Sequence, residues 1–226
     1  MTILDVIATV TYVGGLVFLG CSFAGKKISG IGLSKRGSWK EAVPSRYTLH
    51  HEVGHVMLNA VFKDLDERVM VCALGSKDEE GNLGYAVMTD VSCFMETRLL
   101  SEWEMLGCLA GYMSERVLLG EESLGANEDR EQWMKIAKFY LESGFCDGVY
   151  YNKPENQFEF KSNEEHLKIL REHQEKLLTA FFDENKGVVS SAVDELKEKG
   201  VLDKGQLAGY FEKVVFPDGF PIPVLE

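Results

Sequence analysis

The sequence predicts a mainly α fold with a small β hairpin or sheet, and three observations carry that prediction. Over residues 97–119, Leu99, Trp103, Leu106, Ala110, Met113 and Val117 recur at steps of three and four, the period of one helix face. Two strand-like runs, "RVMVCAL" (68–74) and "LGYAVMTD" (83–90), flank the polar stretch "GSKDEEGN", which reads as a hairpin with a long loop. Most of the chain beyond residue 97 reads as helix: 97–119, 128–143, 162–185, 187–199 and 203–213.

Taken in order, the chain opens on Val6–Gly25, twenty residues without a charge, followed by Lys26 and Lys27. At 1.5 Å per residue such a helix is ~30 Å long, about one hydrocarbon core. A membrane anchor over residues 1–27 is one reading, with the lysine flank holding the main domain on the cytoplasmic, stromal or matrix side. The other is an N-terminal helix or strand pair buried in a soluble protein of the same reducing compartment. "GCSFAGKK" (20–27) comes one residue short of a phosphate-binding loop, but Lys27 stands where a magnesium-holding hydroxyl belongs. Residues 28–46, rich in Gly, Ser and Lys, read as a linker, and a helix then carries His51–Phe62. "GEESLGAN" (120–127) is a loop, Gly144 a helix stop, and "CDGVYYNKPENQFEF" irregular. The main domain is thus expected over 47–215, with 216–226 an extended tail containing Pro217, Pro221 and Pro223.

Bulk chemistry narrows the function. A net charge of −12 argues against nucleic acid, which needs a basic stripe against its phosphates. The five cysteines are scattered and form no C-x-x-C, which argues against a disulfide framework or a Cys-rich zinc knuckle.

"YTLHHEVGHVMLNAVF" (47–62) supplies the chemistry, an H-E-x-x-H motif. Residues four apart on a helix share a face, so His51 and His55 can both ligate one zinc ion, and Glu52 can reach a water held there. His50 points about 100° away and reads as a cap or surface residue; His166 and His173 lie on a charged helix and read as solvated. A third ligand is needed. The extended motif with a third histidine fails, because Leu58 and Val61 stand where Gly and His belong. Glu79 and Glu80 fall in the hairpin loop. Glu128 and Asp129, in the first turn of a helix after "LGAN", remain.

The chain resembles the peptidase domain of FtsH-type membrane proteases over about residues 45–215. The shared pattern is "HHEVGH" (50–55), "NLGYAVM" (82–88), "LAGYMSERVLLG" (109–120), "GANED" (125–129) and Ile136–Ala137, in that order. The resemblance implies a zincin-like metallopeptidase domain with a C-terminal helical bundle. It implies Zn2+ held by His51, His55 and Asp129, with Glu52 as the catalytic base and Glu115 in a supporting role. It also implies protein or peptide substrates, added as a strand along residues 68–74, and assembly as a homo-oligomer. Tyr112 replaces an arginine of the family pattern, and Trp133 and Met134 replace an aliphatic residue and a threonine. No ATPase module fits in the 226 residues. The expectation is therefore a zinc endopeptidase acting on unfolded or small substrates, or with an ATPase partner in trans. A catalytically silent assembly or adaptor subunit is the alternative.

Overall fold

A computed structural model of the chain describes residues 43–62, 66–78 and 82–224. The apolar run 6–25, the phosphate-loop-like 20–27, most of the linker, and Glu79 and Glu80 lie outside the described residues. Among the described residues the protein is mainly helical, with one small antiparallel sheet, in the order α1 (Arg46–Met57), β1 (Met70–Ala73), β2 (Gly84–Val87), α2 (Arg98–Leu119), α3 (Asn127–Glu142), α4 (Gln157–Glu184), α5 (Lys186–Lys199), β3 (Val201–Asp203) and α6 (Lys204–Phe211). None of these helices is long and apolar enough to cross a membrane.

Helix α1 begins five residues before His51 because Ser45 caps it, its side chain accepting from the Thr48 amide at 3.1 Å. It tightens into a 3-10 turn over Leu58–Val61. There the Trp103 indole N–H donates to the Leu58 carbonyl at 3.1 Å, satisfying a helix-end acceptor from another element. Thr97 caps α2, and Gly120, at φ 81°, ends it in the left-handed conformation that glycine adopts without strain. α2 runs through the centre of the core: Trp103, Met105, Leu106, Leu109, Ala110 and Met113 are each 2% exposed or less. α1 crosses it closely, since a Cβ on Gly54 would lie 2.6 Å from Ser114 Cβ and 2.8 Å from the Ala110 carbonyl oxygen.

The sheet order is β2-β1-β3. Met70 pairs with Val87 on one side and with Asp203 on the other, so β1 is the central strand. The expectation of a free substrate edge along 68–74 is therefore corrected: β1 is paired on both sides, and β2 and β3 are the two outer strands of this sheet. Asn59, fully buried, ties α1 to this sheet by donating to the Val56 carbonyl at 2.9 Å and accepting from the Thr89 amide at 2.7 Å.

The later helices start where caps allow. α4 begins at Gln157 rather than near 162 because the Asn156 side chain accepts from the Phe158 and Glu159 amides. Its first turn is apolar yet exposed at Phe158 and Phe160, so hydrophobic periodicity does not reveal it. Asn185 separates α4 from α5 and is buried by donating to the Phe181 and Val215 carbonyls and accepting from the Val215 amide. Residues 217–224 carry no helix or strand, and the Phe216 and Phe220 rings lie 5.7 and 5.4 Å from Phe181.

Candidate metal centre

His51 and His55 sit one turn apart on α1 and face α2. Their Nε2 atoms are 3.1 Å apart. Asp129 comes from the first turn of α3, its Oδ2 lying 3.1 Å from His51 Nε2 and 3.3 Å from His55 Nε2. Glu128 is exposed on the same turn and stands outside this group. His50 turns back to donate from Nδ1 to the Arg46 carbonyl at 2.7 Å. His173 is exposed. His166 is half-buried and not simply solvated, with its ring nitrogens 2.7 Å from the Ser162 carbonyl and 3.3 Å from that of Asp147.

The far nitrogens of the two imidazoles define their tautomers. His51 Nδ1 is 2.7 Å from Glu115 Oε1, and His55 Nδ1 is 2.8 Å from the Gly107 carbonyl oxygen. An ionised carboxylate and a carbonyl only accept, so both Nδ1 atoms carry the hydrogen and each neutral ring turns a bare Nε2 lone pair toward Asp129. With both rings neutral, three lone-pair atoms converge within hydrogen-bonding distance, an arrangement that either a proton on His51 Nε2 or a metal cation makes favourable. Tetrahedral coordination at zinc–ligand distances of about 2.0–2.1 Å sets ligand atoms ~3.3 Å apart. The observed edges of 3.1, 3.1 and 3.3 Å fit that figure, and His51, His55 and Asp129 could hold a metal ion.

The local electrostatics agree. Burial opposes charge on His51, but the carboxylates of Asp129, Glu115 and Glu52 outweigh it and hold its pKa up at about 10. Burial acts against the Asp129 carboxylate too, and the two imidazoles reverse this, holding it well below the usual carboxylate range. Glu52 is pushed up by burial, partly offset by the two histidines. Its carboxylate makes no hydrogen bond or ion pair with the described residues, so it stays available to a substrate or water. Gly84 of β2 brings the sheet against it: a Cβ there would lie 2.9 Å from Glu52 Cγ.

α2 forms the floor. A Cβ on Gly111 would stand 2.5 Å from His55 Nε2 and 2.6 Å from His51 Nε2, so only glycine lets the helix pass beneath both rings. Gly107, Gly111 and Glu115 are spaced by four and share one face of α2, serving His55, both rings and His51 in turn. That spacing of four is the signal in the sequence for Gly107 and Gly111. Glu115 is 1% exposed, and its Oε1 lies 2.7 Å from His51 Nδ1.

The departures at Tyr112, Trp133 and Met134 fall behind the site. Tyr112 donates to Glu175 Oε1 at 2.8 Å, and the Arg130 and Arg171 guanidinium groups lie 5.2 and 5.8 Å from its ring. Trp133 donates to Gln174 Oε1 at 2.7 Å, whereas Met134 is exposed. Cys72, Cys93, Cys108 and Cys146 are all free thiols.

A scan of the chain against models of known protein families returns no match, and a search of curated proteins likewise returns none.

Proposed function

We propose that this protein is a zinc-dependent endopeptidase of zincin-like fold whose substrates are unfolded or membrane-associated polypeptides. The reading is carried by one observation: three potential ligand atoms of His51, His55 and Asp129 converge beside the Glu52 carboxylate, which makes no hydrogen bond with the described residues. His51, His55 and Asp129 would hold the zinc, with Glu115 and the Gly107 carbonyl keeping both imidazoles in the ligating tautomer. When bound, zinc supplies Lewis acidity toward a carbonyl oxygen and a water molecule. Glu52, with its raised pKa, takes the proton of the attacking water and returns it to the leaving amine nitrogen. Burial keeps that carboxylate poorly solvated, which brings its basicity closer to that of the groups it serves.

β2 is the place for an extended substrate. It pairs with β1 alone among the described strands, leaving its outer backbone groups for a strand laid alongside, with affinity from main-chain hydrogen bonds rather than side chains. The resemblance to FtsH-type peptidases extends this reading to a homo-oligomer, to the C-terminal helices as a bundle, and to an ATPase partner in trans.

The test incubates zinc-loaded protein with an unfolded casein-like substrate, beside Glu52→Gln. The variant should retain its zinc and lose at least about a hundredfold in rate, the usual worth of a positioned base. Equal cleavage by both proteins would refute the assignment.

A further inference from the structure

Asp129 lies on a different helix from the histidines, and its position depends on the loop that leads into α3. That loop is fastened from inside by Glu115. The buried Glu115 carboxylate accepts from His51 Nδ1 at 2.7 Å and from Ser123 twice, from the hydroxyl onto Oε1 at 3.1 Å and from the amide onto Oε2 at 2.5 Å. One carboxylate on α2 therefore grips a metal-ligating ring on α1 and the loop carrying the third ligand.

We propose that Ser123 and Glu115 form a positioning pair that sets metal affinity by fixing the start of α3 relative to His51. The inference rests on the metal reading above and deepens it. The chain path supports it: Ser123 starts a 3-10 turn over Leu124–Ala126, its hydroxyl oxygen also accepting from the Gly125 amide at 3.4 Å. Ala126 is fully buried, and α3 follows directly with Asp129 in its first turn. Few residues separate the anchor from the ligand, and they form continuous helical turns, so a shift at Ser123 is carried to Asp129.

Other tethers hold the same loop from outside. Arg46 and the Tyr47 hydroxyl both reach Glu121 Oε1, and Arg130 lies 3.4 Å from Glu122. These are solvent-screened contacts of the kind that contributes little. The Ser123 contacts differ, because hydrogen bonds to an ionised, buried carboxylate are charge-assisted and shielded from water. Gly120, in its left-handed conformation, marks where the loop departs from α2.

The experiment uses the full chain and Zn2+ in competition with a chromophoric chelator, with Co2+ absorption as a report of ligand geometry. Ser123→Ala should weaken zinc about tenfold, the lower end of what removal of a supporting hydrogen bond costs a metal site. Its cobalt bands should weaken as the tetrahedral field relaxes. Ser123→Thr, which keeps the hydroxyl, should restore affinity to within about twofold, and Glu121→Ala, which cuts the outer tether, should leave it unchanged. In the wild type, zinc should slow amide exchange over residues 123–126, and that protection should be lost in Ser123→Ala. Wild-type affinity in Ser123→Ala, or a loss that Thr does not restore, overturns the positioning role while leaving the metal centre standing. Absence of zinc binding by the wild type overturns the metal reading itself.

Discussion

Replacing Gly111 by alanine tests the proposed metal centre at its tightest point. The added methyl would stand 2.5 Å from His55 Nε2 and 2.6 Å from His51 Nε2 and Cε1, where ordinary contact begins near 3.4 Å. The rings or the helix must give by about 0.9 Å, against a tolerance of about 0.2 Å in metal–ligand distances. Zinc affinity should therefore fall by at least about a hundredfold. Gly107→Ala is the matched control. It lies one turn earlier on the same helix, nothing stands within 4 Å of its added Cβ, and its carbonyl still faces His55 Nδ1. That variant should keep wild-type zinc affinity and gain roughly 0.5–1 kcal/mol, the helix-interior preference for alanine over glycine. In Gly111→Ala the same gain is opposed by overpacking of about 1–3 kcal/mol. Chelator competition reads the affinity, and urea unfolding of the metal-free proteins reads the stability. Wild-type zinc binding by Gly111→Ala, or an equal loss in Gly107→Ala, would sink the reasoning.

Two further outcomes concern protons. Without metal, His51 holds its proton up to a pKa of about 10, so zinc must displace that proton, and apparent affinity should climb about tenfold per pH unit between pH 6 and 8. A pH-independent affinity over that range contradicts the network drawn around His51. Glu104 on α2 has no ion-pair partner among the described residues, and burial, aided by Glu96, lifts its pKa from 4.5 to about 7. A raised acid favours the neutral form in the folded state, so stability present below pH 4.5 is lost as pH rises through 7. Glu104→Gln should then be more stable than wild type by about 2–3 kcal/mol at pH 8 and equal to it near pH 4, as read by urea unfolding. Parallel pH profiles for the two proteins would contradict the burial of this carboxylate.

The fold was legible where its signal is local. The stripe of α2 is buried from Trp103 through Met113 as its spacing predicts, whereas Leu99 is exposed and Leu100 is buried in its stead, and the structure places that helix within one residue of the expected start. β3 carries no strand signal of its own in the sequence. It has three residues, and Leu202, fully buried, lies between exposed Val201 and Asp203, too short a pattern to stand out beside the capping box that opens α6. Strand order was equally unreadable. A free edge is expected along 68–74, and only the pairing of β3 on β1 shows that this strand has none. In the site, Glu128 and Asp129 were indistinguishable by spacing, and a family resemblance, not local chemistry, favoured Asp129. The geometry separates them, one carboxylate turned onto both imidazoles and the other left in water.

The sequence by itself determined that two imidazoles and a carboxylate share neighbouring positions on α1, because a four-residue step on a helix is fixed by backbone geometry alone. The tertiary structure decided which nitrogens face inward. The acceptors that orient His51 and His55 come from Glu115 and Gly107, 64 and 52 positions further along the chain. Only the close crossing of α1 over α2, which Gly54 and Gly111 permit, brings those acceptors to the rings and leaves the opposite lone pairs pointing at Asp129.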